Sequence, residues 1–385
     1  MLTVYFGDAD KDKDRFIFDS IASVMPSDVF LLVPDQFTLQ AERNAFQYMN
    51  ADALLELEIV SRSGFTRRIV SQEGKPGGIA VDKYGRFMLL AKLLIEDEES
   101  ESIFSSVRTK NSFISMMNDM ISDMKQYDVE PKELAEIEAN FQDDVVLCEK
   151  LGDVRRIYEK YEEAVSGKYM DSEDFLRIVA EKIYHSEMVK THAFWIDGFD
   201  YMTPKLLSMV EAIACTAPEV NIVFTGDDKS EDDTFAIFRR MQRALREMAE
   251  KNGIVYRECA IPQKYRKENK LSEVVLTACG DFYAEAETAA VRIMELVREQ
   301  KMRYRDIVII CNDAQVRGSV FRRVFDRYGI PLFIDRKRSI LQEPAVEFIF
   351  AMMDTVRNGR RFHDVFRMLK TGYAPIGDDA WEYGW

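Results

Sequence analysis

Short apolar runs punctuate the first part of the chain. Leu2–Phe6, Val29–Val33, Leu57–Val60, Phe194–Asp197 and Val220–Thr225 are each flanked by helical pattern, which predicts parallel strands buried on both faces. Ile17, Ile21, Ala22 and Val24 follow the first run at helical spacing. Between residues 83 and 185 the strand signal stops. There Phe113, Met116, Met117, Met120, Ile121 and Met124 recur at i, i+3, i+4 and i+7, which predicts an amphipathic helix whose methionines serve packing. Thr203-Pro204 predicts a helix start, with threonine as N-cap and proline at the first helical position. Residues 261–270 are polar, basic and poor in apolar side chains, and read as a linker. Beyond them the pattern predicts strand 274–278, helix 284–301, strand 307–311, helix 316–328, strand 331–335 and a helix starting near Pro344. The expected organisation is α/β: a first domain over 1–82 and 186–270, a helical insertion over 83–185, and the start of a second α/β domain over 271–385.

Composition narrows the function classes. The 385 residues are 47% hydrophobic and 31% charged, ordinary for a globular chain with room for two or three domains. A net charge of −15 excludes a polycation coating nucleic acid, so any such contact must come from local patches. Cys148, Cys215, Cys259, Cys279 and Cys311 form no C-x-x-C pair, which fits a reducing compartment and argues against zinc or an iron–sulfur cluster in this stretch. The three histidines include no H-E-x-x-H spacing. No basic region precedes an apolar core at the N-terminus, and no apolar run approaches ~18 residues, so neither a signal peptide nor a membrane span is expected and the cytoplasm is the expected location. The acidic run 96–101 reads as a solvated loop. The last residues have no tail character, and the polypeptide is expected to be a fragment of something longer.

Candidate chemistry concentrates after the predicted strands. Residues 7–14 read Gly-Asp-Ala-Asp-Lys-Asp-Lys-Asp, where a nucleotide-hydrolysing domain carries G-x-x-x-x-G-K-[ST]. Counted from Gly7, Lys13 falls at the lysine position, but the second glycine is Asp12 and the hydroxyl is Asp14. Asp8 and Asp10 complete four carboxylates where a triphosphate would sit, and like charges at such range repel by several kcal/mol at an effective dielectric of ~20. Asp197 ends a buried strand, the position that holds magnesium in such enzymes, but the next residue is Gly198 rather than a water-activating glutamate. Residues 223–230 end a strand in Gly226-Asp227 followed by polar Lys229 and Ser230, with Phe235 and Phe238 in an F-x-x-F arrangement. Two further patterns are weaker. Asp8, Asp10, Asp12 and Asp19 imitate a calcium loop, yet its obligatory sixth-position glycine is Lys13. Ile334-Asp335-Arg336 imitates a nuclease box without its partner lysine motif.

Several blocks, in order along the whole chain, resemble the AddB family, B subunits of bacterial AddAB helicase–nucleases related to superfamily-one helicases. They are residues 32–43 (LVPDQFTLQAER), 195–204 (WIDGFDYMTP), 304–310 (YRDIVII), 328–338 (YGIPLFIDRKR) and 366–372 (FRMLKTG). The resemblance implies a degenerate P-loop, RecA-like domain. It also implies an AddA motor subunit as partner, single-stranded DNA as ligand, and a role in processing double-strand breaks for recombinational repair, with reading of the Chi sequence in many members. Family members use ATP and magnesium and carry an iron–sulfur nuclease domain further along, and no cofactor is expected within this segment. Gln36 and Thr38 match the family's DNA-reading positions, and Phe199 and Tyr201 fall in the matching block after Asp197. The following segment departs from the family at Arg62 and Arg67, where aromatic residues are usual.

Charge supports the same face. Residues 59–92 hold Arg62, Arg67, Arg68, Lys75, Lys83, Arg86 and Lys92 against Glu73 and Asp82, net +5 in an acidic chain. Arginines near Phe65 suit single strands, whose phosphates they bind and whose bases they stack on. Residues 303–338, with nine basic residues against four acids, are a second candidate. The alternatives are an active P-loop DNA helicase and a non-DNA interaction module with an acidic metal-binding loop.

Overall fold

A computed structural model describes residues 1–24, 28–49, 56–74, 77–96, 102–141, 144–227, 233–267, 274–334 and 340–374. Each early apolar run forms a strand: β1 (Leu2–Gly7), β2 (Val29–Val33) and β3 (Leu57–Ser61). Helices α1 (Lys13–Val24), α2 (Thr38–Tyr48) and α3 (Arg62–Glu73) follow them in turn. The short strand β4 (Ile79–Ala80) then leads into α4 (Lys83–Glu96), α5 (Asn111–Gln126), α6 (Pro131–Asn140) and α7 (Val145–Val165). Next come β5 (Tyr169–Met170), which pairs with β4, and α8 (Ser172–Ile183) and α9 (Glu187–Thr191). The α/β alternation resumes with β6 (Ala193–Asp197), α10 (Pro204–Thr216), β7 (Val220–Thr225), α11 (Ala236–Lys251) and β8 (Tyr256–Ala260).

The main sheet has the order β3-β2-β6-β7-β1-β8, and every neighbouring pair is parallel. β7 therefore lies between the strand that ends in Gly7 and the strand that ends in Asp197, as expected of a RecA-like α/β domain. Strand periodicity splits the core into two layers. Leu2, Val4, Phe6, Phe30, Leu32, Phe194, Ile196, Val220, Ile222 and Phe224 face one side, under α3, α8, α10 and α11. Val29, Leu31, Val33, Trp195 and Val223 face the other, under α1 and α2. Thr203 caps α10 ahead of Pro204 as predicted, accepting from the Leu206 amide.

Helices α4 to α7 have their own core around Leu90, Phe113, Ile114, Met117, Ile121 and Tyr161. The methionine stripe splits: Met117 is buried, whereas Met116 and Met120 are exposed. One charged cluster fastens this layer. The buried Lys125 on α5 lies 2.8 Å from carboxylate oxygens of Glu162 on α7, Asp171 and Asp174. Tyr161 donates to Asp171 at 3.1 Å, and Asp171 also caps α8 by accepting the Asp174 amide at 2.9 Å.

Residues 1–270 and 271–385 form two separate compact units. In the second, α12 (Phe282–Glu299) and α13 (Ala314–Tyr328) pack around Ala286, Ala290, Ile293, Phe321, Val324 and Phe325, followed by α14 (Pro344–Arg357) and α15 (Phe362–Lys370). The helices follow the sequence pattern, but the expected strands do not form. Residues 274–278, 307–311 and 331–334 make no ladder pairing among the described residues, with Leu276 98% exposed and Val308, Ile310 and Phe333 also open to solvent. Apolar extended segments become strands only when another segment satisfies their backbone groups. Residue 335 of the nuclease-like box lies outside the described residues.

Candidate functional site

In a parallel sheet the carboxyl ends of the strands form the rim where ligands bind. Here that rim has two contrasting halves. At the β1 end, Asp12 caps α1, with the Phe16 amide 3.0 Å from its carbonyl and the Arg15 amide 3.4 Å from its Oδ1. Residues 261–267, which leave β8, are stitched onto the loop. The Ile261 amide donates to Phe6 O at 2.7 Å, Asp12 to Tyr265 O at 2.7 Å, and Lys267 to Asp10 O at 2.6 Å. Side chains repeat the pattern. Lys11 Nζ donates to Gln263 Oε1 at 2.7 Å, Arg266 Nε lies 2.8 Å from Asp10 Oδ2, and Lys267 Nζ lies 3.9 Å from Asp12 Oδ1. The segment expected as a linker is thus a strap. Ile261 and Tyr265 anchor it in the core beside α1, Tyr265 edge-on to Phe16 at 5.3 Å.

These residues do not fit a nucleoside triphosphate. Phosphate loops work by pointing free amides and a lysine at the anion, but the Asp12 amide is spent on Tyr265 and Lys13 Nζ lies 2.9 Å from Asp197 Oδ1. A Cβ at Gly7 would approach Lys11 Cγ at 2.8 Å and Ile261 Cδ1 at 3.1 Å, so the inner side of the loop is filled by protein. Lys13 and Asp197 attract without hydrogen-bond geometry, leaving Asp197 Oδ1 buried and lacking a donor. Burial pushes the Asp197 carboxyl above its ordinary value, and Lys13 only partly opposes this. Asp8 turns its carboxylate onto the Ala9 amide at 2.7 Å. Among the described residues, no group of His, Cys, Asp or Glu side chains has the arrangement of a metal site. Next along the rim, Gly226 donates to Gly7 O at 2.9 Å and abuts the buried Phe238 ring, so Phe238 of the F-x-x-F pair is core. Residues 229 and 230 lie outside the described residues.

The other half is open. After β2, residues 34–38 form a single helical turn that exposes Gln36 and Phe37, and Thr38 Oγ1 donates to Asp35 O at 3.2 Å. Ser61 caps α3 through the Gly64 amide, and Ser63 Oγ donates to Asp35 Oδ1 at 2.5 Å, joining the β2 and β3 ends. That bond holds the Asp35 carboxyl below its usual range. Gly198 has a φ of +80°, and a Cβ there would lie 3.0 Å from Pro34 Cδ, so glycine is required for the β6 end to pass the β2 end. Gln36, Thr38, Arg62, Asp197, Phe199 and Tyr201 therefore follow neighbouring strand ends. Phe199 is half-buried against the core, whereas Tyr201 is exposed.

Side-chain pairing dissolves most of the basic patch. Arg86 is buried and donates to Asn118 Oδ1 at 2.8 Å. Lys83 pairs with Asp119 and Lys92 with Glu96. Arg68 is held by both oxygens of Glu58 and lies over the Phe30 ring. Residue 75 lies outside the described residues. Arg62 and Arg67 remain without an ion pair among the described residues, and Arg67 Nε donates to Ser63 O at 3.3 Å. In the second basic stretch, Arg303, Arg317 and Arg327 pair with Asp306, Glu285 and Glu287. Charge counting cannot see such pairing. The sequence reading also missed β8, whose Tyr-Arg-Glu-Cys-Ala carries no apolar run. It also lacks period-two alternation, so an edge strand of this composition leaves no sequence signal.

Residues 4–274 match the family model described as ADDB, N-terminal. The chain is 30% identical to the B subunit of the ATP-dependent helicase/deoxyribonuclease of Alkaliphilus oremlandii, over 98% of its own length and 36% of the relative's. Identities are 28% to the protein of the same name from Alkaliphilus metalliredigens and 29% to that from Acetivibrio thermocellus, again over 98% of this chain and over 35% and 36% of the relatives. The chain thus spans about a third of the length of the curated relatives it matches.

Proposed function

The chain belongs to the ADDB N-terminal family, and on that premise we propose that it is the helicase-like region of the B polypeptide of a helicase–deoxyribonuclease, holding single-stranded DNA while an AddA-type motor subunit supplies ATP turnover. The whole assembly would process DNA double-strand breaks. The carrying observation is the division of the strand-end rim. The half that would handle phosphate is spent on internal contacts, and the half beside it exposes Gln36, Arg67 and Tyr201, with Thr38 and Arg62 half-buried. Two arginines without ion-pair partners beside amide, hydroxyl and aromatic groups suit an unpaired strand, which offers phosphates and base faces together. The polar side chains of Gln36 and Thr38 are the groups on this surface suited to reading base edges, which is the chemistry that Chi recognition needs.

Salt-dependent binding tests the reading. Arg68 is committed to Glu58, so the informative change is Arg62→Glu with Arg67→Glu. It should weaken binding of a single-stranded oligonucleotide more than tenfold at low salt and flatten the log–log salt slope by about 1.4, at ~0.7 per phosphate contact. Unchanged affinity would place the DNA elsewhere. The chain should not hydrolyse ATP, and turnover abolished by Lys13→Ala would overturn that half of the proposal. Co-expression with the motor subunit should give a complex that survives purification.

A further inference from the structure

Beside Tyr201, the helical layer reaches the same rim. Tyr127 follows the end of α5, and its phenol lies beside that of Tyr201. The next residue, Asp128, pairs with Lys205 in the first turn of α10. Asp128 holds a φ of +62°, the left-handed residue of the helix ending, where the Val129 amide donates to Met124 O at 2.8 Å and so fixes the turn. Two adjacent contacts therefore pin the 127–128 turn over the β6–α10 connection. The phenol rings themselves stay open: Tyr127 is 49% exposed and Tyr201 41%. Phe37 is 47% exposed, with its ring 3.7 Å from where a Gly198 Cβ would be. Core packing explains none of these three exposures, and each ring sits on a short, anchored connection rather than on a free loop.

We infer that Tyr127 is a base-stacking residue, contributed by the helical layer to the same single strand that the sheet rim holds, with Tyr201 and Phe37 extending the platform. This rests on the function proposed above and adds to it a ligand group that the sequence pattern did not single out. The partner it fits is an unpaired strand, because stacked duplex bases offer no free faces. Anchored aromatics suit it because they lose little freedom on binding.

The test uses the full chain and two fluorescent probes of equal length, oligothymidylate and the corresponding abasic sugar-phosphate strand. Tyr127→Ala and Tyr127→Leu should bind oligothymidylate about tenfold more weakly. Tyr127→Phe, which keeps the ring and loses the hydroxyl contact, should bind like the parent. The abasic strand should bind all four proteins equally, and the salt slope should not change, because stacking releases no counterions. The melting temperature of each variant verifies folding. Parent-like binding by the alanine variant, or an equal loss with phenylalanine, overturns the inference, the latter because it would make the hydroxyl contact the active element. Failure of the parent chain to bind either probe overturns the broader reading as well. Loss with Arg62→Glu and Arg67→Glu but not with Tyr127→Ala overturns this inference alone.

Discussion

Two lysines in this chain sit beside aspartates, one within the protein and one at a partly exposed rim, and they do opposite things. Lys125 is almost completely buried and meets three carboxylates, of which Asp171 is itself capped by a tyrosine hydroxyl and a helix amide. Every charge there has donors or acceptors to offset its desolvation. The Lys125 cation pulls the Asp171 carboxyl down, and burial pushes Glu162 up. Lys13 meets Asp197 alone, without hydrogen-bond geometry, and the Asp197 carboxyl is pushed up. The first site is built as structure. The second sets Lys13 against Asp197 and leaves Asp197 Oδ1 without a donor. Burial of a charge is stabilising only where its bonding is complete.

The largest expected effect comes from breaking the complete site. Lys125→Met leaves Asp171 buried with no cation, and should cost about 3–5 kcal/mol of stability, measured by urea unfolding. A cost below about 1 kcal/mol would mean that the cluster is solvated and that the comparison fails.

What the sequence made legible follows from the same physics. Strands inside the sheet must be largely apolar, so β1, β2, β6 and β7 stand out as apolar runs, and the edge strand β3 does so through Leu57, Ile59 and Val60. The edge strand β8 carries no such demand and was invisible. Runs 274–278, 307–311 and 331–334 have the composition of strands, but a ladder is a property of two segments and composition describes one. The strap read as a linker because only Ile261 and Tyr265 anchor it, while its remaining partners lie some 250 residues upstream, as in Lys11 with Gln263. The motif positions brought Lys13 and Asp197 forward separately, and only the fold brings the two together. Charge counting failed at Arg86 and Arg68, whose partners Asn118 and Glu58 cannot be read from a tally.

The incomplete site should respond more mildly. Lys13→Met removes the single cation beside a buried carboxylate and should cost about 1–3 kcal/mol at neutral pH. Adding Asp197→Asn should recover most of that loss, because the double variant leaves no buried charge. A strictly additive double variant would show that the two groups do not interact.

The outer rim should respond least in stability. Arg62→Glu with Arg67→Glu should change unfolding free energy by no more than about 0.5 kcal/mol, since neither arginine has an ion-pair partner among the described residues. This is the converse of their effect on single-strand affinity, and a large destabilisation would reassign them to the fold.

The finest test is the pH dependence of Asp197→Asn alone. A carboxyl whose folded pKa is raised binds its proton more tightly in the native state than in the unfolded chain. Its contribution is therefore favourable below the ordinary value of 3.8 and is lost as pH rises through the folded value. Asparagine cannot ionise, so the variant escapes that loss. Relative to the parent chain, its melting temperature should rise from acid toward neutral pH, with the change confined to the interval between the ordinary and raised values. The opposite trend would mean that Lys13 stabilises the Asp197 charge more than burial penalises it. The pair would then be a working ion pair of the Lys125 kind, and the contrast between the two sites would disappear.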